Sequence, residues 1–162
     1  MKQLSRIFLA AAVMGVRASP AYASRDADQM CLGSNIRQTV KELIDTWSQG
    51  YAFAKVIIGT DARFGSVPEP VVKDEGTDYV VCHASYNLVR VERGNAYRVR
   101  LTGFDFRVTR VSEGYRVTLT DLPVTVDTDE EAAALIARFT VNDRPYAEIL
   151  AKNRARLVKP GN

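Results

Sequence analysis

One histidine and two cysteines are all that these 162 residues offer toward the commonest metal and redox chemistry. A closed zinc site takes four ligands, mostly Cys and His, so His83, Cys31 and Cys82 are too few, and no metal is expected. No C-x-x-C spacing exists, which excludes the usual catalytic dithiol. Residues 59–76 hold Gly59, Gly65 and Gly76 but neither the P-loop pattern nor the Rossmann spacing, so no nucleotide cofactor is expected. No internal repeat or low-complexity run is present. Beyond the first 16 residues no apolar stretch approaches the roughly 20 residues that cross a bilayer.

The first 23 residues have the three parts of a secretory leader. Lys2 and Arg6 form a basic start, residues 7–16 form an apolar run, and Ala21-Tyr22-Ala23 is a small-residue cleavage site. The pattern predicts cleavage after Ala23 and a mature single domain over residues 24–162. An uncleaved anchor fits less well, because ten apolar residues are too few to span a membrane. Arg17 is the one irregular feature. A lipid-modified Cys31 does not fit, since Asp28 and Gln29 precede it and it lies too far from the apolar run. The expected product is soluble and periplasmic or secreted, with no stable membrane insertion. The formal charge of +3 resides in Lys2, Arg6 and Arg17, so the remainder is formally neutral and gives no reason to expect a nucleic-acid partner.

In an oxidising compartment Cys31 and Cys82 read as one disulfide. It closes a loop whose chain-entropy contribution is about 4 kcal/mol. Two buried free thiols are the alternative.

Residues 24–32 read as a polar lead-in. Ser34 can cap a helix over residues 34–48, where Ile36, Val40, Leu43, Ile44 and Trp47 form one apolar stripe and Gly50 a stop. Residues 51–58 are aromatic and β-branched and suit a strand. Residues 59–76 read as loop, with room for an extended piece at Val71-Val72. Residues 79–91, 96–111 and 115–122 then form an antiparallel meander with turns at residues 92–95 and 112–114. Tyr97, Val99 and Leu101 alternate with polar residues, as do Phe104, Phe106 and Val108, with a break near Gly103. Parity places Cys82 on the core side. Thr128 to Glu131 have the form of a capping box ahead of a helix over residues 132–139. Asn142 or Asp143 can cap a last helix beginning near Pro145.

The whole reads as α+β: an N-terminal helix packed on a curved antiparallel sheet of about four strands, with one or two C-terminal helices. Its element order resembles that of cystatin-like folds, without a shared motif.

Candidate chemistry is sparse. His83 shares a strand face with Ser85, as in the first two members of a hydrolase site, but neither an orienting acid nor an oxyanion loop is identifiable, and a solvated surface histidine is the plainer reading. Asp121, Asp127, Asp129, Glu130 and Glu131 lack the EF-hand spacing, and helix capping accounts for the last three. Arg98, Arg100, Arg107 and Arg116 point outward from the sheet. They are candidates to bind an acidic partner protein, lipid head groups or a carboxylate-bearing glycan, set against an ordinary mixed-charge surface. Trp47, Phe53, Tyr86, Tyr97, Phe104, Phe106, Tyr115 and Phe139 read as packing. The expected function is a non-enzymatic binding or accessory role through contact with another envelope protein. A hydrolase using His83 and a small-ligand carrier using the concave sheet face are the alternatives.

Overall fold

The structure, a computed structural model, describes residues 25–50 and 65–157. The expected leader, the strand expected over residues 51–58 and its Phe53 lie outside the described residues.

Residues expected to be a polar lead-in are helical. Helix α1 spans Arg25–Leu32 and buries Ala27, Met30 and Cys31, one stripe at spacings of three and one, while Asp26 and Asp28 complement its positive end. Ser34 is not the cap expected of it. Gly33 occupies that position, with no side-chain cap, and α2 spans Ser34–Gln49. The Gly33 N–H donates to the Gln29 carbonyl at 2.9 Å, and its carbonyl accepts from Arg37 at 3.0 Å, so one glycine ends the first helix and begins the second. Helix α2 buries Ile36, Val40 and Ile44. The half-buried Trp47 donates its indole N–H to the Pro123 carbonyl at 2.9 Å.

The sheet is antiparallel throughout, with strands β1 (Val71–Glu75), β2 (Tyr79–Glu92), β3 (Asn95–Val111), β4 (Gly114–Leu119), β5 (Phe139–Val141) and β6 (Arg144–Pro145). Strand β3 is its spine. One edge pairs with β2 along nearly its whole length, starting from a two-residue turn at Arg93 and Gly94, both with positive φ. The other edge is shared: Val99 to Leu101 pair with β5, and Phe106 to Val111 pair with β4. Phe139 therefore belongs to a strand, not to the preceding helix as expected. Asn142 and Asp143, at φ 50 and 63, form a second tight turn instead of capping the last helix. The Asn142 side chain accepts from the Arg98 N–H at 2.8 Å, which ties this turn to β3. Helix α3 (Asp129–Ala137) starts on the expected capping box between Thr128 and Glu131. Helix α4 spans Tyr146–Leu157.

The break near Gly103 is a β-bulge. Ala84 faces Phe104 and Tyr86 faces Leu101, so Thr102 and Gly103 together oppose Ser85. Gly103 adopts φ +63, a left-handed conformation that a side chain disfavours. The bulge shifts the inward phase by one residue: Val99 and Leu101 are buried before it, and Phe104, Phe106 and Val108 after it. Opposite them Val80, Cys82, Ala84, Tyr86 and Leu88 are buried. Buried side chains from α1, α2, α3 and β5 join the same cluster. The Cys31–Cys82 disulfide, with Cα atoms 5.8 Å apart, staples α1 to β2 inside it. Tyr115 departs from its expected packing role; at the start of an edge strand it is 53% exposed.

Candidate functional site

Hairpin geometry decides what stands beside His83. From the Arg93–Gly94 turn, unbroken pairing would bring His83 opposite Phe104. The Gly103 bulge advances β3 by one residue, so His83 faces Asp105 instead. His83 Nδ1 lies 2.6 Å from Asp105 Oδ1. Lys73, at an irregularity in β1, donates its ammonium to Asp105 Oδ2. Asp105 is therefore a buried carboxylate holding two exposed donors: its own side chain is 11% exposed, and those of His83 and Lys73 are 45% and 57% exposed.

Desolvation pushes the Asp105 carboxyl up, but hydrogen bonds and charge from Lys73 and His83 outweigh it and hold the group below the usual carboxylate range. The same hydrogen bond and charge raise the Lys73 ammonium above its ordinary value. In the neutral tautomer that gives Nδ1–H to the carboxylate, the His83 lone pair stands on Nε2. A Cβ on Gly103 would meet His83 Cε1 at 3.5 Å and Nε2 at 3.7 Å, so glycine here leaves that side of the ring uncovered.

Behind this cluster lies the gap between β4 and β5, where β3 has no strand partner among the described residues on one edge. Side chains fill it. Asp121 Oδ1 accepts from the Asp105 N–H at 2.8 Å, and Asp121 Oδ2 pairs with Arg138 at 3.1 Å. Arg138 also donates to the Gly103 carbonyl, and its own carbonyl accepts from the Thr102 N–H at 2.9 Å. The bulge is thus tied down from both sides, a form of support that keeps a first row of side chains in register.

The four candidate arginines share the open face, opposite the core, but not one patch. Arg98 and Arg100 lie on the turn side of the bulge, and Arg107 and Arg116 on the other. Arg100 and Arg107 are seven residues apart on one strand, about 20 Å at the rise of an extended chain. Arg107 stacks on Tyr79 at 4.4 Å. Arg98 pairs loosely with Asp143 at 4.0 Å. Arg100 makes one long contact, 3.5 Å to the Ser85 hydroxyl, and no ion pair among the described residues. Arg98 and Arg100 line a groove of about 250 Å³ with Asn87, Val89, Thr140 and Asp143.

Beneath the groove, on the core side, Tyr86 donates its hydroxyl to Asp45 Oδ1 at 2.7 Å, and Lys41 pairs with Asp45 Oδ2 at 2.9 Å. Burial and the nearby Asp45 raise the Tyr86 phenol far above its ordinary value, so it stays neutral and structural.

Among the described residues no group of three or more His, Cys, Asp and Glu side chains is placed to hold a metal ion, and no helix is long and apolar enough to cross a membrane. Of the acidic run, Glu131 is used in capping, where the Asp127 and Thr128 N–H groups lower its carboxyl, and Asp121 is held by β3 and Arg138. Sequence reasoning did not identify Lys73, Asp105, Arg138 or Asn87 as site residues, and it weighed Asp121 only as a member of the acidic run. The legible signal for Asp105 was its outward parity together with the break at Gly103. Comparison with family models, curated proteins and solved structures finds no match for this chain.

Proposed function

We propose that this is an exported envelope protein, freed of its leader and braced by the Cys31–Cys82 disulfide, that works without catalysis by binding another protein through the open face of its sheet. One observation carries the reading. Val71, Val89, Val91 and Val111, four of the exposed large apolar side chains, share the open face with Arg98, Arg100, Arg107 and Arg116. Val71, Val89 and Val91 are 59%, 43% and 58% exposed. Apolar residues interleaved with arginines are the composition of a recognition surface rather than of a purely solvated one.

The test is crosslinking in the native envelope with a C-terminally tagged chain. A single stoichiometric protein that is lost from the folded Arg98→Glu/Arg100→Glu variant is the expected result. Recovery of the tagged chain alone would sink the reading.

A second reading has a specific observation behind it. The orienting acid missing from the sequence is supplied by Asp105, 2.6 Å from His83, which leaves His83 Nε2 able to act as a base in a hydrolase. The grooves lined by Arg98 and Arg100, by Arg144 and Lys152, and by Asp26 and Arg110 do not include His83. That difference ranks this reading second. Hydrolysis of nitrophenyl esters that falls at least tenfold in both His83→Ala and Asp105→Asn would reverse the order.

A further inference from the structure

The groove over the turn-side half of β3 holds two polar groups whose hydrogen-bonding capacity is unspent. The Arg100 guanidinium presents five N–H donors and uses one of them, in a contact of 3.5 Å. Asn87, directly opposite Arg100 on β2, has a buried side-chain oxygen that accepts no hydrogen bond from the described residues. Unsatisfied buried acceptors are rare in folded proteins because each carries a desolvation penalty of about 1–3 kcal/mol.

We propose that this groove is a carboxylate-binding pocket for an acidic peptide segment, with Arg100 as its anchor and Asn87 as its backbone reader. The proposal rests on the protein-binding reading and names the chemistry of the partner. A carboxylate matches the guanidinium fork of Arg100 in a bidentate pair. A peptide also brings N–H donors, which a bare anion or a phosphate headgroup does not supply and which the Asn87 oxygen, covered in the free chain, accepts once its amide turns into the groove. Arg98 adds a second cation two residues along, with Asp143 at 4.0 Å as its present and displaceable counter-ion. Exposed Val89 lines the same groove and gives an apolar contact for the segment. Arg107 and Arg116 take no part: the first is committed to Tyr79, and both lie beyond the bulge.

The test is titration of the isotope-labelled folded chain with a hexaglutamate peptide, followed by backbone and arginine side-chain resonances. The expected result is saturable shifts confined to Asn87, Val89, Arg98, Arg100 and Thr140, and none with hexalysine. Arg100→Gln should weaken the binding at least tenfold. Arg100→Lys should weaken it several-fold, because lysine keeps the charge and loses the fork. Arg107→Gln should leave it unchanged. Equal weakening by Arg100→Gln and Arg107→Gln would show diffuse charge attraction and overturn the pocket. So would full affinity in Arg100→Lys, or binding to phosphatidylglycerol vesicles without any response to the peptide. The two proposals fail separately. An envelope partner whose capture survives Arg100→Gln removes the pocket and leaves the binding role. Saturable peptide binding with no envelope partner removes the binding role and leaves the pocket.

Discussion

Cys82 and His83 are neighbours on β2 and stand on opposite faces of it. Cys82 is fully buried and bonded to Cys31. His83 is nearly half exposed and held by a single carboxylate. The packed face around Cys82 is apolar from Val80 to Leu88, and its partners across the sheet are Phe104, Phe106 and Val108. The face around His83 is held by polar contacts that pass from Lys73 through Asp105 to Asp121 and Arg138. Burial of apolar area stabilises by about 25 cal/mol per Å², whereas exposed ion pairs contribute about 0–1 kcal/mol each. Stability therefore resides on one face, and the other is free to carry recognition.

The largest break in this contrast should come from the packed face. Phe106→Ala should cost about 3–5 kcal/mol, and loss of the disulfide through Cys31→Ser or Cys82→Ser about 4 kcal/mol. Denaturant unfolding of the purified variants measures both. A loss below about 1 kcal/mol in Phe106→Ala would mean that the core is not centred on this pair of strands.

Gly103 joins the two faces. Gly103→Val forces a β-branched residue into φ +63, a cost of about 1–3 kcal/mol. It also sets a side chain against the open side of the His83 ring. The expected outcome is a lower melting temperature together with a changed His83 ring resonance. A changed melting temperature with the ring signal intact would show that the bulge serves packing alone.

A smaller effect is expected from the polar face itself. The Asp105 carboxyl lies below its ordinary value in the fold. Its carboxylate therefore stabilises the native state above the unfolded value, about 3.9. That contribution is lost as pH falls from there through the folded value. Melting followed from pH 7 to pH 2 should show a steeper acid limb in the wild-type chain than in Asp105→Asn, with a loss of about 1–2 kcal/mol at neutral pH in the variant. Parallel acid limbs would remove Asp105 as a contributor. The smallest effect belongs to Arg107→Ala, which gives up the stack on Tyr79 and should cost about 0.5–1 kcal/mol in unfolding experiments.

Alternation in the sequence was enough to place Cys82 inward and His83 outward, and the change of phase between Leu101 and Phe104 signalled that β3 is interrupted. The Thr128–Glu131 capping box was equally legible, because it is a local hydrogen-bond pattern. Helix α1 was missed since its polar composition hides a stripe of only three buried residues. Strand β5 was missed because the three residues Phe139 to Val141 carry too little pattern to compete with the helix before them. The two-residue turn at Asn142 and Asp143 resembled a helix cap, as both uses favour the same side chains.

Local chemistry along the chain thus determined the α+β class, the disulfide partners, the inward and outward sets of the strands and the outward arginines. Each follows from near-neighbour spacing or, for the disulfide, from there being just two cysteines to pair. Only the tertiary structure decided that Asp105 rather than Phe104 stands beside His83, that Asp121 and Arg138 fill the gap between β4 and β5, and that Arg100 meets Asn87 over a groove while Arg107 is committed to Tyr79. These pairings join residues far apart in the chain. A single-residue shift in strand register, set here by the bulge at Gly103, exchanges every one of the partners on the far side of it.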